Sequence, residues 1–167
     1  SLPAAACHVF DNLSSDATAA LARAAGATVH PVGLRGKGNV VRRAFADIEA
    51  DVYVMVDGDA TYDAAAAPAL VRRLLDDGLD MVVGARVDRE RAAYRPGHRF
   101  GNRLLTRCVG VLFGDSFDDM LSGYRVFSRR YVKSFPAHAA GFEIETELAV
   151  HALQLRMPVA EVATAYG

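Results

Sequence analysis

The pattern that most limits the fold is an alternation of short, β-branched runs of strand length with longer Ala- and Leu-rich segments. Cys7–Phe10 reads as a short strand ending at Asp11-Asn12. Ser14, Ser15 and Asp16 offer an N-cap for an Ala-rich helix to about Ala25, stopped by Gly26. Ala27–Val32 is the next strand, and a basic Gly-rich loop, Gly33-Leu34-Arg35-Gly36-Lys37-Gly38, leads into a helix over Asn39–Ile48. Val52–Val56 is a strand, Ala64–Asp77 a helix stopped by Gly78, and Asp80–Val83 a further strand. An Arg-rich stretch and a helix over Gly97–Phe113 precede a strand at Tyr124–Phe127, a helix over Phe142–Leu155 and a last strand at Val159–Thr164. Strands that alternate with helices of roughly 10–15 residues form βαβ units, so the expected class is α/β, a mostly parallel sheet flanked by helices.

The stretch Val52-Tyr-Val-Met-Val-Asp57-Gly-Asp59 carries the most chemistry. Its apolar run is a buried strand, and it delivers Asp57 and Asp59 at the carboxyl end, where open α/β sheets bind ligands. Two carboxylates so close repel unless a cation joins them, and hard oxygen donors suit Mg²⁺ or Mn²⁺ with substrate phosphates completing the shell. Taken alone, Asp57-Gly58-Asp59 reads equally as a polar turn. The Gly36-Lys37-Gly38 loop fits neither a Walker A loop nor a dinucleotide fingerprint. Glycines around a lysine at a helix start can still present N–H groups and positive charge to an anion, with a solvated loop as the plainer reading.

Several segments in order resemble family 2 glycosyltransferases, in particular the branch of dolichyl-phosphate mannose synthases and polyprenyl-phosphate sugar transferases. They are Asp11-Asn12-x-Ser-Ser-Asp16, Arg35-Gly-Lys-Gly-Asn39, Asp57-Gly-Asp59-Ala-Thr-Tyr-Asp63, Gly97-His-Arg-Phe-Gly-Asn102, Asp119-Met-Leu-Ser-Gly-Tyr-Arg125-Val-Phe-Ser128 and Gly141-Phe-Glu-Ile-Glu-Thr-Glu147. The resemblance implies a GT-A-like fold, a UDP- or GDP-linked sugar donor and a divalent metal, Mg²⁺ or Mn²⁺. It implies that Asp11 contacts the nucleotide base, that Lys37 faces the donor, and that Asp57 and Asp59 hold the ribose and the metal-bound diphosphate. It places Asp119 as an acid near the acceptor, the catalytic base if the acceptor is a sugar hydroxyl and an orienting group if it is a lipid phosphate, and the role of Thr61 stays open. Members of the family usually open with an additional strand and continue past the last one. The expectation is therefore a single catalytic domain, residues 1–167, truncated at both ends.

Seven arginines lie between Arg86 and Arg107, and Arg99 and Arg103 share a helix face with Arg95 just upstream. Such a face grips phosphate bidentately. With the resemblance, Arg95, Arg99, Arg103 and Arg125 are assigned to the acceptor, a polyprenyl phosphate, with peripheral contact to the cytoplasmic face of a membrane. The alternative is a solvated basic face. Glu143, Glu145 and Glu147 begin a helix, where the dipole favours acids without catalysis. His30, His138 and His151 read as isolated.

Composition adds exclusions. A net charge of −1 and no aromatic stacking platform argue against a nucleic-acid partner. Cys7 and Cys108 lack metal-ligand spacing and point to a reducing, cytoplasmic compartment without zinc. No run approaches the roughly 18 apolar residues of a membrane span. The expected reaction is transfer of a hexose from the nucleotide sugar with inversion. The alternatives are a non-catalytic nucleotide-sugar binding module and a nucleotidyltransferase.

Overall fold

A computed structural model describes Leu2 and residues 5–88 and 117–167. Arg95, Arg99, Arg103 and the helix expected over residues 97–113 lie outside the described residues. The chain divides into two compact units, Ser1–Glu49 with Pro136–Ile144, and Ala50–Phe135 with Glu145–Gly167.

The first unit holds one βαβ turn. Strands β1 (His8–Asp11) and β2 (Thr28–Pro31) pair in parallel, with His8 opposite Thr28 and Asp11 opposite Pro31, and helix α1 (Thr18–Ala24) connects them. Helix α1 starts later than its Ser-Ser-Asp signal, and Asp16 Oδ1 accepts from the Thr18 amide at 2.9 Å. Helix α2 (Lys37–Asp47) buries Gly38 and Val41. The Asn12 side chain ties strand end to loop: its amide donates to the carbonyls of Val32 (3.0 Å) and Leu34 (2.7 Å), and its oxygen accepts from Gly36 N (2.8 Å). His30 is not isolated. It stacks on Phe10 with centroids 4.5 Å apart and shares a hydrogen bond with His8, Nε2 to Nδ1 at 3.0 Å.

The second unit is a four-stranded sheet in the order β3-β5-β4-β6, where β3 is Val52–Met55, β4 Met81–Asp88, β5 Arg125–Ser128 and β6 Val159–Tyr166. Strands β4 and β6 are parallel over eight paired positions, from Met81↔Val159 to Asp88↔Tyr166. Strand β5 runs antiparallel to both β3 and β4, so this sheet is mixed where a mostly parallel one was expected. The pattern of β5 could not reveal this, because Val126 and Phe127 are fully buried and a continuous apolar run reads alike in either direction.

Asp63 caps a 3₁₀ turn (Ala64–Ala66) by accepting from Ala65 N, and the turn runs into α3 (Ala67–Asp76). Leu70 and Leu74, one helical turn apart, pack into a core of Tyr62, Val82, Tyr124 and Val126. A short helix not foreseen from the sequence, α4 (Arg129–Ser134), follows β5 directly and is capped by Ser128. Its Tyr131 stacks between Phe127 and Phe135 and donates its hydroxyl to Leu148 O (2.6 Å) on α5 (Ile144–Gln154). His151 meets the edge of this cluster and bonds Ser134 Oγ at 3.0 Å, so it too has partners. Among the described residues no helix is long and apolar enough to cross a membrane.

Candidate functional site

The carboxyl end of β3 delivers Asp57 and Asp59, as its sequence predicted, but the run is not the buried strand expected: Tyr53 is buried, whereas Val54 and Val56 are exposed. Asp59 Oδ1 accepts from Thr61 N (3.1 Å) and from the Thr61 hydroxyl (2.6 Å), so Thr61 orients that carboxylate. Asp57 lies against Gly123. A Cβ built on Gly123 would fall 2.8 Å from Asp57 Cγ and 3.0 Å from Oδ1, with Oδ2 nearer still. The Gly123 amide donates to the Tyr62 hydroxyl at 2.9 Å. Tyr62 is buried between the edges of Tyr124 and Tyr166, and that burial pushes its phenol pKa up against the opposing bond from Gly123 N–H. It remains a phenol throughout the physiological range.

As a donor set, two carboxylates on one strand end fit Mg²⁺ or Mn²⁺, which take a few carboxylate oxygens and fill the other positions with water and substrate. Among the described residues no group of three or more His, Cys, Asp and Glu converges on a metal position.

Asp119 sits in the segment leading to β5 and is almost fully buried. Its two oxygens meet the fork of Arg86, with Nε to Oδ2 and Nη2 to Oδ1 both at 2.7 Å, and Oδ2 also accepts from Arg86 N at 3.1 Å. The Arg86 guanidinium lies 5.4 Å from the centroid of Tyr166. From β6, Glu161 accepts the amides of Asp118 (2.6 Å) and Asp119 (3.0 Å). Burial raises the Glu161 pKa; the two amides oppose that shift, and the charges of Asp118 and Asp119 add to it. Arg86, Tyr62, Gly123 and Glu161 were not singled out in the sequence. Arg86 entered there only as the first of the seven-arginine run, three residues before Arg89.

Arg125, expected on the acceptor, has a different place. It is wholly buried, and its guanidinium donates to the carbonyls of Ser122 (2.9 Å), Met120 and Glu145 (3.1 Å). It holds the 120–125 segment in shape and presents no group to a ligand. Ser122 completes the frame by donating to Gly84 O at 2.6 Å.

In the first unit, Asp11 closes β1, and its Oδ1 is buried with no hydrogen-bond partner among the described residues. Such an acceptor is costly unless a donor reaches it. Lys37 is the first residue of α2 and is half-buried. The glycines beside it do not form an open anion cradle. Gly36 N is bonded to Asn12 and Gly38 N to Gly141 O (3.2 Å), and a Cβ on Gly38 would meet the carbonyl carbons of Ala139 and Ala140 at 2.7 and 2.8 Å. These glycines let the 139–141 segment pass close over the helix start. Arg42 fixes the same segment through Ala137 O, with Nε at 2.8 Å and Nη2 at 2.6 Å.

Comparison with known proteins places these features in a family. The chain is 39% identical over 164 residues to the glycosyltransferase AglJ of Haloferax volcanii, covering 95% of this chain and 52% of AglJ. It is 31% identical over 116 residues to a dolichyl-phosphate hexose transferase of the same organism, covering 70% of this chain and 50% of the relative. The chain thus spans about half the length of these relatives. Its fold matches glucosyl-3-phosphoglycerate synthase from Mycobacterium tuberculosis, solved with Mn²⁺, UDP-glucose and phosphoglyceric acid. That match has a TM-score of 0.75 at 26% identity, over 96% of this chain and 60% of the synthase. The GT-A-like α/β fold expected from the sequence is therefore the one observed. Residues 4–135 match the family described as Glycosyl transferase family 2, and to that family the chain belongs.

Proposed function

We propose that the protein transfers a hexose from a UDP- or GDP-linked donor to a polyprenyl phosphate, with inversion at the anomeric carbon, and that both units belong to one catalytic domain. The observation that carries this reading is the carboxylate pair at the end of β3, Asp57 seated against Gly123 and Asp59 held by Thr61. Asp57 and Asp59 hold Mg²⁺ or Mn²⁺ and the donor diphosphate. When bound, the metal offsets the charge that builds on the leaving diphosphate. Asp11 supplies a buried acceptor suited to a nucleobase N–H, and Lys37 faces the donor. The Mn²⁺ and UDP-glucose bound by the mycobacterial synthase support this assignment.

The acceptor reading rests on Asp119. Because both of its oxygens are engaged by Arg86, it orients that arginine and is poorly placed to take a proton. A sugar hydroxyl needs such a base. A phosphate monoester, with a second pKa of about 6, is already anionic near neutrality. Arg95, Arg99 and Arg103 then grip the acceptor phosphate at the cytoplasmic face of a membrane. The similarity to a dolichyl-phosphate hexose transferase supports this choice.

Thermal unfolding with Mn²⁺ and either UDP-glucose or GDP-mannose tests the donor site. Ligand at about 100 times its Kd should add about 2.7 kcal/mol of stability. A Mn²⁺-dependent shift that disappears in Asp57→Ala/Asp59→Ala is the expected result, and no shift with either nucleotide sugar refutes the reading. For the acceptor, loss of transfer in Arg99→Ala with activity retained in Asp119→Asn is expected. The reverse pattern would mean a hydroxyl acceptor.

A further inference from the structure

We propose that Gly123 is a positioning residue: the space left by its missing side chain sets where the Asp57 carboxylate sits. The proposal rests on the donor-site reading above and adds a residue to it. Gly123 is not among the glycines with positive φ, so alanine can adopt its backbone. What glycine supplies is room. Any Cβ would overlap the Asp57 carboxylate, 2.8 Å from Cγ and 3.0 Å from Oδ1.

One of the two partners must then move, and the structure decides which. The backbone around Gly123 is held on several sides. Its amide is bonded to Tyr62 Oη (2.9 Å), and Ser122 Oγ donates to Gly84 O (2.6 Å) while accepting from Tyr124 N (3.2 Å). Gly84 N in turn donates to Tyr124 O (2.8 Å). Tyr62 is wedged edge-on between Tyr124 and Tyr166, with centroids 5.6 and 5.0 Å away. Ser122 and Tyr124 are buried in the second unit, so the loop has no easy retreat. The Asp57 carboxylate is the end of a side chain that rotates about two bonds. A methyl at position 123 therefore turns the carboxylate away and leaves the fold in place. Tyr62 acts one step further out, since without its hydroxyl the Gly123 amide loses its anchor.

The test titrates Mn²⁺ into wild type, Gly123→Ala, Tyr62→Phe, Asp57→Ala and Gly123→Ala/Asp57→Ala. UDP-glucose or GDP-mannose is present, whichever stabilises wild type more. Apparent Mn²⁺ affinity and the ligand-free unfolding temperature are both read. Gly123→Ala should unfold within about 2 °C of wild type while its Mn²⁺ affinity falls about 10–100-fold, as for other residues that orient a metal ligand. Tyr62→Phe should show a smaller loss in the same direction, and the double variant should bind no worse than Asp57→Ala alone. If Gly123→Ala costs stability instead, removing the carboxylate must relieve it, so the double variant should unfold no earlier than Asp57→Ala. Wild-type binding with unchanged affinity in Gly123→Ala overturns this proposal alone, and so do fully additive losses. Absence of Mn²⁺-dependent binding in wild type overturns the donor reading and this proposal together.

Discussion

The two units begin from the same kind of sequence, short strands alternating with helices, yet they are held together differently. In the second, Met81, Val82, Val83, Val126 and Phe127 of the sheet are fully buried, as are Leu70 and Leu148 of the helices. In the first, α1 has no buried residue and α2 contributes only Gly38 and Val41. Polar ties do more of the work there: the three bonds of Asn12 and the grip of Arg42 on the 137–139 carbonyls. Apolar burial scales with area and stabilises a whole layer at once, whereas each hydrogen bond adds about 1 kcal/mol. Local opening should therefore begin in the first unit, and the carboxylate pair of the second stands on the more resistant frame.

The largest effect should come from breaking that frame at its buried charge. Arg125→Met leaves the carbonyls of Met120, Ser122 and Glu145 without their donor, and about 3–5 kcal/mol should be lost in urea unfolding. A loss below about 1 kcal/mol would show that the guanidinium is not what holds the segment.

Asp80 comes next. Its nearly inaccessible carboxylate accepts from Ser128 Oγ (2.7 Å) and Arg130 Nε (3.0 Å). Burial alone would raise its pKa, but the donors from Arg130 and Ser128 prevail and hold it below the ordinary 3.8. A depressed carboxyl pKa contributes stability above the unfolded value and loses it as pH falls through the folded one. Asp80→Asn should therefore cost about 2 kcal/mol near neutrality, and the gap to wild type should close below pH 3.8. Equal gaps at neutral and strongly acid pH would contradict this sign.

A smaller and more local change is expected from Arg42→Ala. About 1–2 kcal/mol should be lost, read as faster amide exchange over residues 136–141 with β4 and β6 unchanged. Equal acceleration in both units would erase the contrast between them. Least of all should be Arg43→Ala and Arg73→Ala, which break exposed i,i+4 pairs with Asp47 and Asp77, one in each unit. Each should cost about 0.3–0.5 kcal/mol in urea titrations and less in high salt.

Much of this was legible in advance. The strand ending at Asp57 and Asp59 could be read because a β-branched run bounded by Asp and Gly has few other uses. The helix over Ala64–Asp77 with its Gly78 stop could be read from local composition, and the observed 3₁₀ turn and α3 together run from Ala64 to Asp76. Arg125 was misjudged because a lone arginine is ordinarily exposed, and nothing local reveals that three main-chain carbonyls converge on it. The glycines at 36 and 38 read as a solvated loop or an anion loop and are neither, since a glycine needed for close packing carries the same letter as one needed for a ligand or a turn. Helix α4 escaped notice because its six residues are too few to establish a period.

The sequence by itself determined the alternation of elements, the α/β class and the delivery of two carboxylates to one strand end. All of these follow from side-chain period and local propensity, which act over a few neighbouring residues. Tertiary structure decided the direction of β5, the pairing of Asp119 with Arg86, the burial of Arg125 and the contact of Gly123 with Asp57. Each joins residues 33 to 76 positions apart or depends on which carbonyls meet in space. Such contacts are selected by the packing of the whole unit, and no window along the chain contains them.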